Sequence, residues 1–193
     1  MSDRRRGEPA GVLDLRRLDL APGAGTGTEV PVALADTTVG GQVYEPDPRE
    51  MRARVDVASS GSGIGMRLRC ATVLRGPCQR CLAGSSVAIA VDARDFQATG
   101  RDHEGEPDED LDCEYLSGPM GMDLDVAAWA RDAIAEAIPM SILCREDCAG
   151  LCVRCGADLN VAPCRCPHDA VDPRWSALGA LRERLGDAGA DAP

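Results

Sequence analysis

The feature that most constrains this chain is the stretch between residues 144 and 166, which holds six of its ten cysteines. Within it, Cys152 and Cys155 are two residues apart and precede Gly156, a spacing at which two thiolates can chelate one tetrahedral metal ion. Zinc takes four such ligands, and spacing alone does not choose the other two; surplus thiols could form a second or shared site. The candidate metal ligands are Cys144, Cys148, Cys152, Cys155, Cys164 and Cys166.

The same cysteines could instead form a disulfide framework, stay as buried thiols or hold an iron–sulfur cluster. Disulfide frameworks are typical of short secreted chains, and the first residues here run on without the apolar segment of a signal peptide. In a reducing cytosol, closely spaced cysteines beside a glycine favour metal binding. We therefore expect a cytoplasmic protein whose cofactor is Zn²⁺.

The apolar residues of this chain are unusual in that few are aromatic: 44% of the chain is apolar but only 3% is aromatic. A core must then be built from Val, Leu, Ile and Ala, and a metal cross-link would compensate in the small cysteine-rich part. No apolar run approaches the roughly 18 residues of a membrane span. We expect no membrane partner and no small-molecule substrate.

Charge is unevenly distributed along the chain. The net charge of −11 opposes indiscriminate binding to nucleic acid, yet residues 61–91 contain no acidic side chain. Four arginines in that stretch could contact phosphate, or could be scattered surface charges on strands: Arg67, Arg69, Arg75 and Arg80. The acidic run at residues 102–112 could hold a basic protein, or could be a solvated linker.

Apolar and polar residues alternate with period two over residues 51–57, 65–74 and 86–96, which predicts strands of an antiparallel meander. Cys78 and Cys81 lie on one of its hairpins, where they could bind metal with the distal cysteines, act as a redox pair or be structural. A helix with Asp123 as its N-cap is expected to end at Pro139. Trp129 lies off its apolar stripe and is expected to cover a sheet face.

These patterns predict an α+β fold: an antiparallel sheet with one packing helix, a cysteine-rich zinc-binding hook and a short terminal helix. The expected divisions are a mostly disordered segment 1–28, an α+β domain 29–142 with a mobile acidic loop at 100–112, a zinc-binding segment with the terminal helix at 143–186, and a disordered tail 187–193.

Several short motifs occur in a characteristic order: Cys78-Gln79-Arg80-Cys81-Leu82, Met122-Asp123-Leu124, Ile138-Pro139, the string from Cys144 to Asn160, Cys164-Arg165-Cys166 and Asp172-Pro173-Arg174-Trp175. With these motifs in this order, the chain resembles the YceD family over about residues 30–185. In that family the C-x-R-C pair is widespread, whereas the later cysteines occur only in some branches.

The resemblance implies a role in the accumulation of large-subunit (23S) ribosomal RNA, in ribosome assembly or precursor processing. The expected partner is that RNA or a basic large-subunit ribosomal protein. The family offers no catalytic residues to carry over, so we expect a non-enzymatic factor. The alternative from another class is a zinc–thiolate redox switch or a redox-controlled chaperone, because clustered thiolates can be oxidised with release of metal.

Overall fold

The computed structural model describes residues 11–18, 20–98, 113–166, 173–175, 178, 179 and 181. The chain divides into two compact units, residues 1–148 and residues 149–193. This division falls later than the boundary expected at residue 143, and the expected acidic loop and C-terminal tail lie outside the described residues. Within those residues, no helix is both long enough and apolar enough to cross a membrane.

The first unit is built from nine strands and one α-helix within the described residues. The helix is α1, Val126–Ala137. The strands are β1 (Val12–Asp14), β2 (Gly25–Ala33), β3 (Thr37–Val39), β4 (Gln42–Asp47), β5 (Glu50–Ser59), β6 (Gly63–Pro77), β7 (Gly84–Ala98), β8 (Leu116–Ser117) and β9 (Asp123–Asp125).

Strand β6 is the centre of a six-stranded sheet. On one side it pairs with β7 along its whole length, from Gly63 opposite Ala98 to Pro77 opposite Gly84. On its other side it pairs first with β5 and then with β4, and the order across the sheet is β2-β5-β6-β4-β3. All of these pairings are antiparallel, which confirms the predicted antiparallel sheet.

The period-two pattern places one face of this sheet in the core. On β5 and β6, residues such as Val55 and Leu68 are fully buried, whereas their sequence neighbours Arg54 and Arg69 face outward. Helix α1 joins the same core through apolar side chains spaced at helical intervals. Its buried residues are Val126, Trp129, Ala130, Ala133 and Ile134.

The start of α1 differs from the sequence prediction. Asp123 is part of β9, whose pairing with β1 and β8 keeps the chain extended for two more residues. The N-cap is Asp125, whose carboxylate accepts a hydrogen bond from the backbone N–H of Ala128 at 2.8 Å. Trp129 is 3% exposed and stacks on Tyr115 with ring centroids 5.9 Å apart, so it belongs to the core.

The segment expected to be mostly disordered, residues 1–28, is ordered in its described part. Strand β1 pairs with β9, and Leu15 directly after it is buried in the core. Strand β2 begins at Gly25, within the segment expected to be mostly disordered, because its backbone continues the ladder with β5. Pairing across the sheet overrides the local preference of these glycines for a loop.

The second unit has little regular structure in its described residues. It contains a single β-bridge between Leu151 and Asp158 and a short 3-10 helix, Pro173–Trp175. Residues 178, 179 and 181 are α-helical, in the region where the sequence predicts the short terminal helix. Apart from Cys152, no apolar side chain is buried in the described part of this unit. Such a segment needs another source of folding energy, and a metal cross-link is one that small folds use.

Replacing Trp129 with Ala should lower the free energy of unfolding by about 3–5 kcal/mol, because a buried indole and its stacking partner are lost. Urea denaturation followed by circular dichroism measures this change. Arg131→Ala on the exposed side of the same helix is the matched control and should change stability by less than about 0.5 kcal/mol. Equal effects of the two substitutions would contradict the assigned core.

Candidate metal centre

The hairpin between β6 and β7 holds the first cysteine pair in a tight loop, residues 78–83, called here the proximal loop. The backbone N–H of Cys78 donates to the carbonyl of Ala83 at 2.7 Å, and that of Leu82 donates to the carbonyl of Cys78 at 2.9 Å. The backbone N–H of Arg80 points at the Cys78 Sγ, 3.5 Å away. These bonds close the loop and aim a backbone dipole at sulfur.

Residues 152–157, the distal loop, repeat this geometry in the second unit. The N–H of Cys152 donates to the carbonyl of Ala157 at 2.8 Å, and that of Gly156 to the carbonyl of Cys152 at 2.8 Å. The N–H of Arg154 lies 3.4 Å from the Cys152 Sγ. Both loops have the sequence Cys-x-Arg-Cys-x-Ala, so one local design is used twice.

Each loop is completed by two later cysteines to a cluster of four thiols. Cys144 and Cys148 join Cys78 and Cys81 in the proximal cluster, and the four Sγ atoms all lie within 4.8 Å of one another. The distal cluster has the same spread; it consists of Cys152, Cys155, Cys164 and Cys166. Either cluster could bind a metal ion.

Sulfur separations in the proximal cluster match those of a tetrahedral centre. Cys78 and Cys148 Sγ are 3.8 Å apart, and Cys81 and Cys144 Sγ are 3.6 Å apart. Four sulfurs at metal bonds of 2.3 Å occupy a tetrahedron with edges of about 3.8 Å. None of the ten cysteines forms a disulfide, and all ten are described.

The structure divides the six cysteines that spacing groups together. Cys144 and Cys148 contribute to the proximal cluster, in the first unit, rather than to the cluster around Cys152 and Cys155. Cys164 and Cys166 contribute to the distal cluster, in the second unit. Of the three possibilities left open for the hairpin pair, the geometry places it beside other thiols, in an arrangement suited to metal.

Burial differs between the two clusters. In the proximal cluster Cys78, Cys81 and Cys148 are buried and only Cys144 is exposed. In the distal cluster a single thiol, that of Cys152, is buried. Solvent therefore reaches most of the distal sulfurs and few of the proximal ones.

Backbone dipoles favour one thiolate in each cluster. Burial disfavours ionisation of Cys78, but N–H groups that include those of Cys81 and Arg80 outweigh it and lower its pKa to about 6. The N–H groups of Cys155 and Arg154 lower the pKa of Cys152 to about 6 as well. Each loop thus presents one good ligand anion near neutral pH.

One further thiol of each cluster is harder to ionise than a free cysteine, because another thiol of the same cluster is hydrogen-bonded to it. Hydrogen bonding to Cys81 is the main cause that raises the pKa of Cys144 to about 12. Hydrogen bonding to Cys155 has the same effect on Cys166, whose pKa is also about 12. Because only deprotonated thiols coordinate metal, occupation of either cluster would release protons and weaken as pH falls.

The four arginines proposed for phosphate contact are each engaged with another group of the first unit. Arg67 donates to Asp92 at 2.6 Å, Arg69 to Asp56 at 2.6 Å, Arg75 to Asp47 at 2.7 Å, and Arg80 to the carbonyl of Cys148 at 3.0 Å. The acidic partners lie outside residues 61–91, on the neighbouring strands β4, β5 and β7. Cross-strand pairing therefore places a carboxylate beside three of these four arginines.

Gln79 is a site residue that sequence reasoning did not single out. Its backbone N–H donates to the carbonyl of Ile142 at 2.9 Å, and its Oε1 accepts from the N–H of Ile142 at 3.1 Å. These bonds attach the proximal loop to the segment that leads into Cys144. No local pattern signals this role, because the partner lies more than sixty residues away.

The fold and site define an α+β protein with two C-x-R-C loops, each completed to a four-thiol cluster. The family model "Large ribosomal RNA subunit accumulation protein YceD" matches residues 66–182, which include both clusters. The chain belongs to the YceD family.

Two relatives illustrate the range of similarity. A protein of Arabidopsis thaliana named large ribosomal RNA subunit accumulation protein YCED homolog 1, chloroplastic, is 33% identical over 67 residues, 35% of this chain and 21% of the relative. An uncharacterized protein of Mycobacterium tuberculosis strain H37Rv is 29% identical over 129 residues, 67% of this chain and 59% of the relative. The chain thus spans less than two thirds of either relative. No solved structure is significantly similar to it.

Gly156 has a φ of +71° with open space where a Cβ would stand, so Gly156→Ala should introduce backbone strain without a clash. We expect a cost of about 1 kcal/mol, seen as about fivefold weaker metal binding in a Co²⁺ titration of the thiolate absorption. Leu82→Ala is the control, because position 82 already holds a side chain at a φ of 63°. Equal Co²⁺ affinity of the Gly156 variant and the natural chain would contradict the assignment of residues 152–157 as a metal-binding loop.

Proposed function

We propose that this protein supports the accumulation of large-subunit (23S) ribosomal RNA as a cytoplasmic, non-catalytic assembly factor. The observation that carries this proposal is the family match over residues 66–182, because that region contains the helix and both thiol clusters. The name of the Arabidopsis relative supports the same role. The matched region is therefore the part in which the function should reside.

We further propose that each cluster holds one Zn²⁺. The donor set of each cluster is four cysteine sulfurs within 4.8 Å of one another, and closed tetrathiolate sites are characteristic of structural zinc. Such a site supplies folding energy and leaves no open coordination position for chemistry. The proximal ion would join the β6–β7 hairpin to the segment after α1, and the distal ion would organise residues 152–166.

A basic large-subunit ribosomal protein is the partner that the charges favour over RNA. The chain carries a net charge of −11, and the arginines on β6 are paired with carboxylates. A polyanion such as RNA would have to compete with these carboxylates, whereas a cationic protein would be attracted by the field of the whole molecule. Binding to such a protein would connect an acidic factor to the fate of ribosomal RNA.

A redox switch or redox-controlled chaperone is a second candidate, favoured by the exposure of Cys155 and the partial exposure of Cys164 and Cys166. Under this hypothesis, mild peroxide would oxidise distal thiolates to disulfides as the peroxide is reduced to water, and zinc would be released. Zinc release accompanied by suppression of client aggregation would favour this candidate. Unchanged client aggregation after zinc release would exclude it.

Freshly purified, reduced protein should contain two zinc ions per chain by inductively coupled plasma mass spectrometry. Cys78→Ser with Cys81→Ser should leave one ion, and Cys164→Ser with Cys166→Ser should also leave one. Cys70→Ser is the matched control and should leave two, because Cys70 is in neither cluster. Absence of zinc in the natural protein would disprove the metal assignment.

Depletion of the protein in its host should lower mature large-subunit RNA relative to small-subunit RNA, measured by quantitative RNA gel analysis. Re-expression of the natural chain should restore the ratio, and a variant that lacks the proximal cysteine pair should not. An RNA ratio that depletion leaves unchanged would count against the ribosomal role. Crosslinking during growth, scored for RNA and for protein adducts, distinguishes the two partner classes.

A further inference from the structure

The two loops share their backbone but differ in the residues between their cysteines. In the proximal loop these are Gln79 and Arg80, and both side chains make hydrogen bonds outside the loop. In the distal loop they are Val153 and Arg154. The Val153 side chain is fully open to solvent, and the Arg154 side chain has no hydrogen-bond or ion-pair partner among the described residues.

The Gln79 and Arg80 bonds connect the two halves of the proximal cluster. Gln79 makes two hydrogen bonds with the backbone of Ile142, which is itself buried. The Arg80 guanidinium donates to the carbonyl of Cys148, a residue that carries one of the four thiols. The segment with Cys144 and Cys148 is therefore held against the loop by bonds that do not depend on a metal ion.

The surroundings of the proximal loop add to this constraint. The loop closes two fifteen-residue strands that pair along their whole length, so the ladder fixes both ends of the loop. In the described residues of the second unit, by contrast, the distal loop is supported by one β-bridge, by turn hydrogen bonds and by the Asn160 side chain, which accepts from the N–H of Ala149 and donates to Asp158. Local opening costs less where fewer buried contacts and strand pairings must break.

We propose that the two sites differ in how readily they exchange their ion: the proximal site releases zinc slowly, and the distal site exchanges zinc readily with the solution. This inference rests on the zinc assignment under the proposed function. A competing chelator needs access to sulfur or to the metal. Three of the four proximal thiols are buried, whereas only one of the four distal thiols is. Gln79 and Arg80 act as positioning residues, because they hold ligands rather than bind metal.

The consequence is a second unit whose fold depends on available zinc. Its described residues bury no apolar side chain apart from Cys152, so loss of the distal ion removes its main source of folding energy. The first unit keeps its ion and its sheet under the same conditions. Residues 149–166 would thus fold or unfold with the supply of zinc, while the first unit stays folded.

Zinc release from the natural full-length chain into excess chelator, followed with a colorimetric zinc dye, tests the proposal. We expect two phases of equal amplitude whose rates differ at least tenfold. Pulsed alkylation with N-ethylmaleimide and peptide mass spectrometry assigns the phases without any substitution. Cys155, Cys164 and Cys166 should become modified in the fast phase, and Cys78, Cys81 and Cys144 in the slow one.

Substitutions then test the positioning residues. Gln79→Ala and Arg80→Ala should each accelerate the slow phase severalfold and leave the fast phase unchanged. Val153→Ala and Arg154→Ala at the corresponding positions are the matched controls and should leave the slow phase unaltered. Circular dichroism of the sheet confirms that each variant is folded before its rate is interpreted.

The outcomes separate this inference from the proposal on which it rests. A single rate for both ions, or faster alkylation of the proximal thiols, would overturn the inference and leave the zinc assignment and the ribosomal role intact. Equal slow-phase rates in the Arg80, Gln79 and control variants would remove the positioning role. Absence of bound zinc would instead refute the zinc assignment, and the inference with it.

Discussion

The uninterrupted ladder between β6 and β7 is the constraint on which the proximal site depends. Fifteen residue pairs hold these strands in one register, and the last of them, Pro77 opposite Gly84, fixes where the hairpin loop begins and ends. A shift of register by one residue would turn every side chain to the opposite face of the sheet. The same register that places Leu68 in the core therefore also sets the position of Cys78.

The antiparallel sheet and its helix could be predicted because their signals are local. Alternation along β5, β6 and β7 and the helical spacing of the apolar residues in α1 report directly on which side chains face the core. The distal C-x-R-C loop was readable for the same reason, since Cys152, Cys155 and Gly156 are near neighbours. The start of α1 cannot be located in the same way, because the pairing that makes Asp123 part of β9 involves strands distant in sequence.

The division of the cysteines could not be predicted, because it depends on contacts between distant parts of the chain. Cys148 lies 70 residues from Cys78 and only four from Cys152, so sequence proximity groups it with the wrong cluster. The arginines of β6 present the same difficulty. Their carboxylate partners lie on other strands, so the sequence alone does not show that these arginines are paired once the sheet has formed.

Leu82 explains why a sequence pattern based on glycine would miss the proximal loop. Its φ of 63° is the left-handed conformation that glycine adopts at the equivalent place in the distal loop, and its side chain is 55% exposed. A search pattern that demands glycine after the second cysteine would find the distal loop and miss the proximal one. In proteins with this pair of loops, such a search would therefore detect only one of the two.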